Sequence, residues 1–238
     1  MFQPAGLIMW GVMMINYILK GIPLFKCISE EGRVRLAGAL RYRSVKKGDV
    51  LFRKGGRGTA LYIVKKGKIR LTLPSRLGGE FVLAIASEGD FFGEETLLGG
   101  QPCLFDAIAM ESTELLILYH QEFLAFLNAN KGAMQLIIGS LSKRLSYIID
   151  LLADSCFLNI SGRFAKKLVE LATVHGYQDG EDIHIDMRLS QTDLASLVGA
   201  TRESINKELR LLRKKGLVSS QEQGICIHDL ERLKLRAH

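Results

Sequence analysis

Arg202, Glu203, Asn206 and Lys207 place a guanidinium, a carboxylate, a carboxamide and an ammonium within two helical turns. At 3.6 residues per turn they share one side, because apolar Ile205, Leu209 and Leu212 take the other. Side chains of these types at the start of a helix can hydrogen-bond to base edges in the major groove of DNA. The surrounding segment, Leu189–Val218, has the elements needed to present them. Ser190 is a natural N-cap with Asp193 three residues on, and Leu194, Leu197 and Val198 form the apolar stripe of a short first helix. Gly199 suits a tight inter-helix turn, and Thr201 caps the second helix. An amphipathic helix pair joined at a glycine without any nucleic-acid role would show the same pattern, so the rest of the chain must discriminate.

The chain has 238 residues, enough for one large or two small domains, and a net charge of +7. Between Met187 and Val218 there are seven Lys/Arg against three Asp/Glu, so part of the basic excess sits where a polyanion would be met. Cys27, Cys103, Cys156 and Cys226 form no CxxC or CxxH pair. That argues against a structural zinc site or a local iron–sulfur motif and for a reducing, cytoplasmic compartment, leaving open a cluster built from distant cysteines. No Ser/His/Asp set or paired carboxylates suggest an enzyme, and GGRG at Gly55–Gly58 lacks the GK[ST] of a phosphate loop. His120 and His175 are the most central histidines and read as surface or capping residues rather than ligands. The apolar run Leu7–Leu19 is short for a membrane span and lacks a basic flank or cleavage site. A helix packed on the body, or a start site at Met13 or Met14, accounts for it better than an anchor.

Three periodicities divide the chain. From Arg43 to Tyr119, short β-rich runs alternate with glycine turns, as in a β-sandwich or β-roll, with helical pieces near Ile28–Leu40 and from Gln121. Ala133–Leu158 reads as a long helix in which Ile138, Leu141, Leu145, Ile148 and Leu152 step by three and four, a dimer seam or a stripe packed on its own β-domain. Asn159 or Ser161 opens a further helix ending at Gly176. After the helix-turn-helix, Leu217–Ser219 and Ile225–Ile227 predict a hairpin wing, and Asp229–Leu235 a terminal helix.

With these pieces in this order, the chain resembles the Crp/Fnr family of bacterial transcription regulators over Ile22–Leu233. IPLF (Ile22–Phe25), KKGDVLFRKG (Lys46–Gly55), LYIVKKGKIRL (Leu61–Leu71) and FFGEETLL (Phe91–Leu98) are similar to its β-roll signatures. ISGRFAKKLVELA (Ile160–Ala172) and GATRESINKEL (Gly199–Leu209) are similar to its DNA-binding signatures. The resemblance implies an α+β fold: an apolar extension (1–20), a double-stranded β-helix or β-roll sensor (21–130), a dimerisation helix (131–158) and a winged helix-turn-helix (159–238). It implies Arg202 on guanine O6/N7, Glu203 on a cytosine amino group, and Lys207 near a guanine where cyclic-AMP-binding members have Arg. Thr201, Ser190, Gln191, Lys166 and Lys214 are expected at the DNA backbone, with Lys167, Arg210 and Lys215 as further phosphate contacts. The implied site is a palindrome of TGTGA-like half-sites read by a homodimer, with RNA polymerase a further partner if the protein activates. In nucleotide-binding members a Gly-Glu pair reaches the ribose and an Arg-Ser pair grips the phosphate. Here Gly93-Glu94 matches the first, while Cys103 and Leu104 replace the second. A cyclic phosphate would lose its counter-charge and hydroxyl donor, so cyclic AMP is disfavoured. A small apolar or aromatic effector, a haem, or oxidation of Cys103 remain open, with Glu94 a polar anchor or a fold-supporting carboxylate. A cyclic-nucleotide module without a transcription role is the competing reading.

Overall fold

Two faces of one apolar strand organise the first half of the molecule. β3 (Ala60–Lys66) is buried on both sides and runs antiparallel to β8 (Thr113–Tyr119), from Ala60 opposite Tyr119 to Lys66 opposite Glu114. Side chains alternate across a strand, so Leu61 and Ile63, with Leu116 and Leu118, enter one core, and Tyr62 and Val64, with Leu115 and Ile117, enter another. The first core is closed by α1 (Glu30–Ala39), α3 (His120–Ala129) and the start of α4 (Lys131–Phe157), through Leu36, Phe123, Phe126 and Ile137. The second is the interior of a β-roll. One sheet has the order β1-β8-β3-β6, with β1 at Arg41–Val45 and β6 at Phe91–Phe92. The other has the order β2-β7-β4-β5, with β2 at Val50–Phe52, β4 at Ile69–Pro74, β5 at Glu80–Ala86 and β7 at Asp106–Ala109. Each fully buried leucine or isoleucine here contributes about 1.5–3 kcal/mol of burial.

This computed structural model describes residues 15, 19–25, 28–75, 79–185, 187, 189–221 and 224–237. Most of the apolar run Leu7–Leu19 lies outside them. Leu19 is buried in the helix-closed core and Ile15 packs against it. Among the described residues no helix is long and apolar enough to cross a membrane.

The chain divides into two compact units, Met1–Pro74 with Leu83–Leu145, and Ser75–Val82 with Ser146–His238. In the second, Asn159 caps α5 (Ile160–His175) by accepting from the Gly162 N–H at 3.0 Å. Then follow β9 (Gly176–Asp179), β10 (Asp182–Ile185), α6 (Gln191–Val198), α7 (Arg202–Lys214), β11 (Val218–Gln221), β12 (Gly224–Ile227) and α8 (Leu230–Leu235). The wing hairpin is β11–β12, as the sequence predicts. It belongs to a four-stranded sheet, β11-β12-β10-β9, whose strands β10 and β9 are not among the elements predicted from the sequence. The cause is plain: every residue of β9 is exposed, so it carries no apolar alternation to read.

Candidate nucleic-acid interface

Two caps fix the geometry of the helix pair. The Ser190 hydroxyl accepts from the Asp193 N–H at 3.1 Å while the Asp193 carboxylate accepts from the Ser190 N–H at 2.8 Å, a reciprocal capping box that starts α6. Gly199 ends α6 at φ +66°, a left-handed conformation that a residue with Cβ resists, and Ala200 N–H closes on Ala195 O. Two residues later Thr201 Oγ1 accepts from the Ser204 N–H and starts α7. Leu194, Leu197 and Val198 of the first helix and Ile205, Leu209 and Leu212 of the second are all buried, which locks the pair. Arg202, Glu203 and Lys207 are consequently exposed, and Asn206 is half-buried beside them. Thr201, Arg210, Lys214 and Lys215 are exposed on the same element, while Ser190 and Gln191 begin α6.

Two of the proposed phosphate contacts are otherwise engaged. Lys166 pairs with Asp154 at 2.6 Å. Lys167 is buried, its ammonium donating to Tyr147 Oη at 2.8 Å and Glu170 Oε2 at 2.6 Å. Burial pulls the Lys167 ammonium down, but the Glu170 carboxylate and Tyr147 outweigh it and hold the pKa above the ordinary lysine range. The expectation that Lys167 touches phosphate is therefore corrected: it is a cation sealed into α4–α5 packing.

In the sensor unit, Gly93 (φ +93°) precedes α2 (Glu94–Gly99), and a Cβ there would stand 2.7 Å from Ala60 O. This turn drives Glu94 fully inside, where Arg144 of α4 meets Glu94 Oε1 at 2.7 Å. Burial raises the Glu94 carboxyl to about 7 despite the lowering pull of that guanidinium. Arg144 was not predicted; the partners stand fifty positions apart, and only the fold joins them. Cys103 is buried and held by backbone bonds to Gly55 and Gly56, each 2.8 Å. Leu104 is 54% exposed, so of the turn Cys103–Phe105 only Cys103 and Phe105 face inward. Beside them Phe52, Tyr62, Phe92 and Phe105 cluster in the roll, Tyr62 and Phe92 stacking at 5.4 Å. On α4, Ile138, Leu145, Ile148 and Leu152 are exposed, whereas Leu141 packs partly against its own core.

Two family profiles match: the cyclic nucleotide-binding domain over residues 42–130 and the Crp-like helix-turn-helix domain over residues 162–236. The cyclic AMP receptor protein of Thermus thermophilus is 30% identical over 203 residues, covering 84% of this chain and 89% of that protein. The chain belongs to the Crp/Fnr family. It is a Crp/Fnr-type transcription regulator with a β-roll sensor and a DNA-binding helix-turn-helix. A CRP-like cAMP-activated global transcriptional regulator of Mycobacterium tuberculosis is 28% identical over 94% of this chain and all of that protein. Among solved structures, a CooA variant from Carboxydothermus hydrogenoformans shares the fold with a TM-score of 0.74 at 22% identity, covering 84% of this chain and 88% of that one.

Proposed function

We propose that the protein is a homodimeric regulator that reads a palindrome of TGTGA-like half-sites and answers an effector other than cyclic AMP. The observation that carries the DNA reading is the exposure of Arg202, Glu203 and Lys207 on the first turns of α7, directly after the Thr201 cap. Arg202 forks onto guanine O6/N7, Glu203 accepts from cytosine, and Lys207 contributes an undirected positive charge. Thr201, Ser190, Gln191, Arg210, Lys214 and Lys215 hold the backbone, and Lys166 joins them only by leaving Asp154. The exposed leucines and isoleucines of α4 pack against a second copy, which sets two recognition helices one DNA turn apart.

The effector reading rests on the sensor turn. Where a phosphate grip is needed the chain has buried Cys103 and outward Leu104, and the remaining carboxylate, Glu94, is committed to Arg144. The aromatic interior suits a small apolar or aromatic ligand better than an anion. The role is regulatory rather than catalytic, and the protein works in the cytoplasm, with RNA polymerase as its partner if it activates.

The test is fluorescence anisotropy with duplexes carrying the palindrome. Arg202→Ala is expected to weaken binding by about 1–3 kcal/mol and to relax the preference at one base pair per half-site. A uniform loss across all sequences would reject the assigned role. A thermal-shift screen with cyclic AMP, haem and small aromatics tests the sensor, and stabilisation by cyclic AMP would reject the effector reading.

A further inference from the structure

On one face of the wing sheet stands a cluster that neither base reading nor the sensor uses. His184 and Cys226 are register partners across β10 and β12, and Ser219 is opposite Cys226 on β11. The two-residue period of a strand sets Asp182 beside His184, and His228, one residue past β12, beside Cys226. Asp182 Oδ2 lies 3.5 Å from Cys226 Sγ. His228 Nδ1 lies 3.8 Å from the same sulfur and 2.9 Å from Asp182 Oδ1. His184 Nε2 reaches to 3.9 Å from Sγ. The three donors of Asp182, Cys226 and His228 fall within 4.8 Å of one another.

We propose that Asp182, Cys226 and His228 form a binding site for a thiophilic divalent cation of the zinc class, with His184 within reach as the fourth donor. The donor chemistry selects the ion: one sulfur, one or two imidazoles and one carboxylate suit zinc, whereas magnesium and calcium take oxygen. Tetrahedral zinc with bonds of roughly 2.0–2.3 Å holds sulfur and nitrogen donors about 3.6 Å apart and nitrogen and oxygen donors about 3.3 Å apart. The Sγ–Oδ2, Sγ–Nδ1 and Nδ1–Oδ1 distances of 3.5, 3.8 and 2.9 Å lie near these spans, and one donor from each of the three residues lies within 4.8 Å of the others. The surrounding groups orient the donors. His228 Nε2 is 2.9 Å from Ser219 Oγ, and a bond donated there leaves the Nδ1 lone pair directed at the cluster. Tyr177 stacks on His184 at 5.3 Å and holds its ring upright.

Burial argues against a nucleophilic role for the same residues. Cys226 is wholly buried, so a substrate carbonyl could not reach its sulfur. Asp182 and His228 are over a third exposed and leave a mouth that a single ion can enter. Binding releases the thiol proton and any proton on His228 Nδ1, replaces the Asp182–His228 hydrogen bond with metal bonds, and cross-links β10 to β12. The cation is then a ligand of the folded wing alone and stabilises it. This inference does not depend on which DNA sequence is read.

The experiment uses full-length, tag-free protein freed of metal with a chelator and titrated with Co²⁺, followed by Zn²⁺ competition. The expected result is one Co²⁺ per chain, a thiolate-to-cobalt charge-transfer band, the visible bands of tetrahedral cobalt, and their loss on adding Zn²⁺. Cys226→Ser is expected to abolish the charge-transfer band. His228→Gln, at the exposed mouth and thus compatible with folding, is expected to weaken binding at least tenfold, and Ser219→Ala by about 10–100-fold. A variant with Cys27→Ser, Cys103→Ala and Cys156→Ser keeps the bands. Absence of the charge-transfer band in the wild type would overturn the proposal, as would its persistence in Cys226→Ser or unchanged affinity in His228→Gln.

Discussion

Arg202 and Lys207 share a charge but not a geometry, and the difference is measurable. A guanidinium presents two parallel donors that match one base, while an ammonium accepts many partners at similar energy. Replacing Lys207 with Arg should therefore sharpen the base preference at its position without a large change in binding to random DNA, as competition with single-base variants of the palindrome will show. Glu94 offers a second test at this scale. Its folded carboxyl titrates at about 7 because burial disfavours the charge, against an ordinary value of 4.5. A raised folded pKa means that the group's stabilising contribution is fully present below pH 4.5 and is lost as pH climbs through 7. The melting temperature of the wild type should fall across that window relative to Glu94→Gln. Parallel curves for the two proteins would show that Glu94 is ionised throughout.

Among the elements, α6 and α4 carry opposite risks. The capping box of α6 is local, so Ser190→Ala should lower stability by roughly 1 kcal/mol in chemical denaturation without changing the oligomeric state. On the proposed reading, the exposed part of the α4 stripe acts through a partner. Leu145 and Leu152 are 59% and 64% exposed, and changing both to Glu should leave the monomer folded while dissociating the dimer in sedimentation velocity. These elements were legible because caps, glycine turns and 3.6-residue stripes are written within a few residues of one another. Ser190 with Asp193, Gly199, Thr201 and the buried Ile205, Leu209 and Leu212 all follow from that local grammar. What escaped either lacks an apolar pattern or depends on distance along the chain. Strand β9 pairs with β10 but is solvent-facing throughout, and Arg144 finds Glu94 only through the β-roll. Lys167 looked like an outward cation, yet its ammonium lies inside against Tyr147 and Glu170. The Asp182, Cys226 and His228 group joins residues more than forty positions apart, out of reach of any local motif.

For the molecule as a whole, the proposed function links sensor and reader by a shift between dimers that can and cannot grip DNA. Arg144 of α4 pairs with Glu94 beside the Gly93 turn, within the unit that holds the β-roll. The basic excess acts at longer range. With +7 overall and exposed Arg210 and Lys214 on α7, affinity should fall steeply with salt. Removing both side chains should lower that salt slope by about two per bound chain, about four for a dimer on the palindrome. The most direct measurement is an anisotropy titration of wild type and Arg202→Ala against the TGTGA palindrome, a duplex with one half-site scrambled, and a fully scrambled duplex. Two chains per palindrome, a large loss on scrambling either half, and a selective penalty for Arg202→Ala are predicted. Equal affinity for all three duplexes, or one chain bound per palindrome, would contradict it.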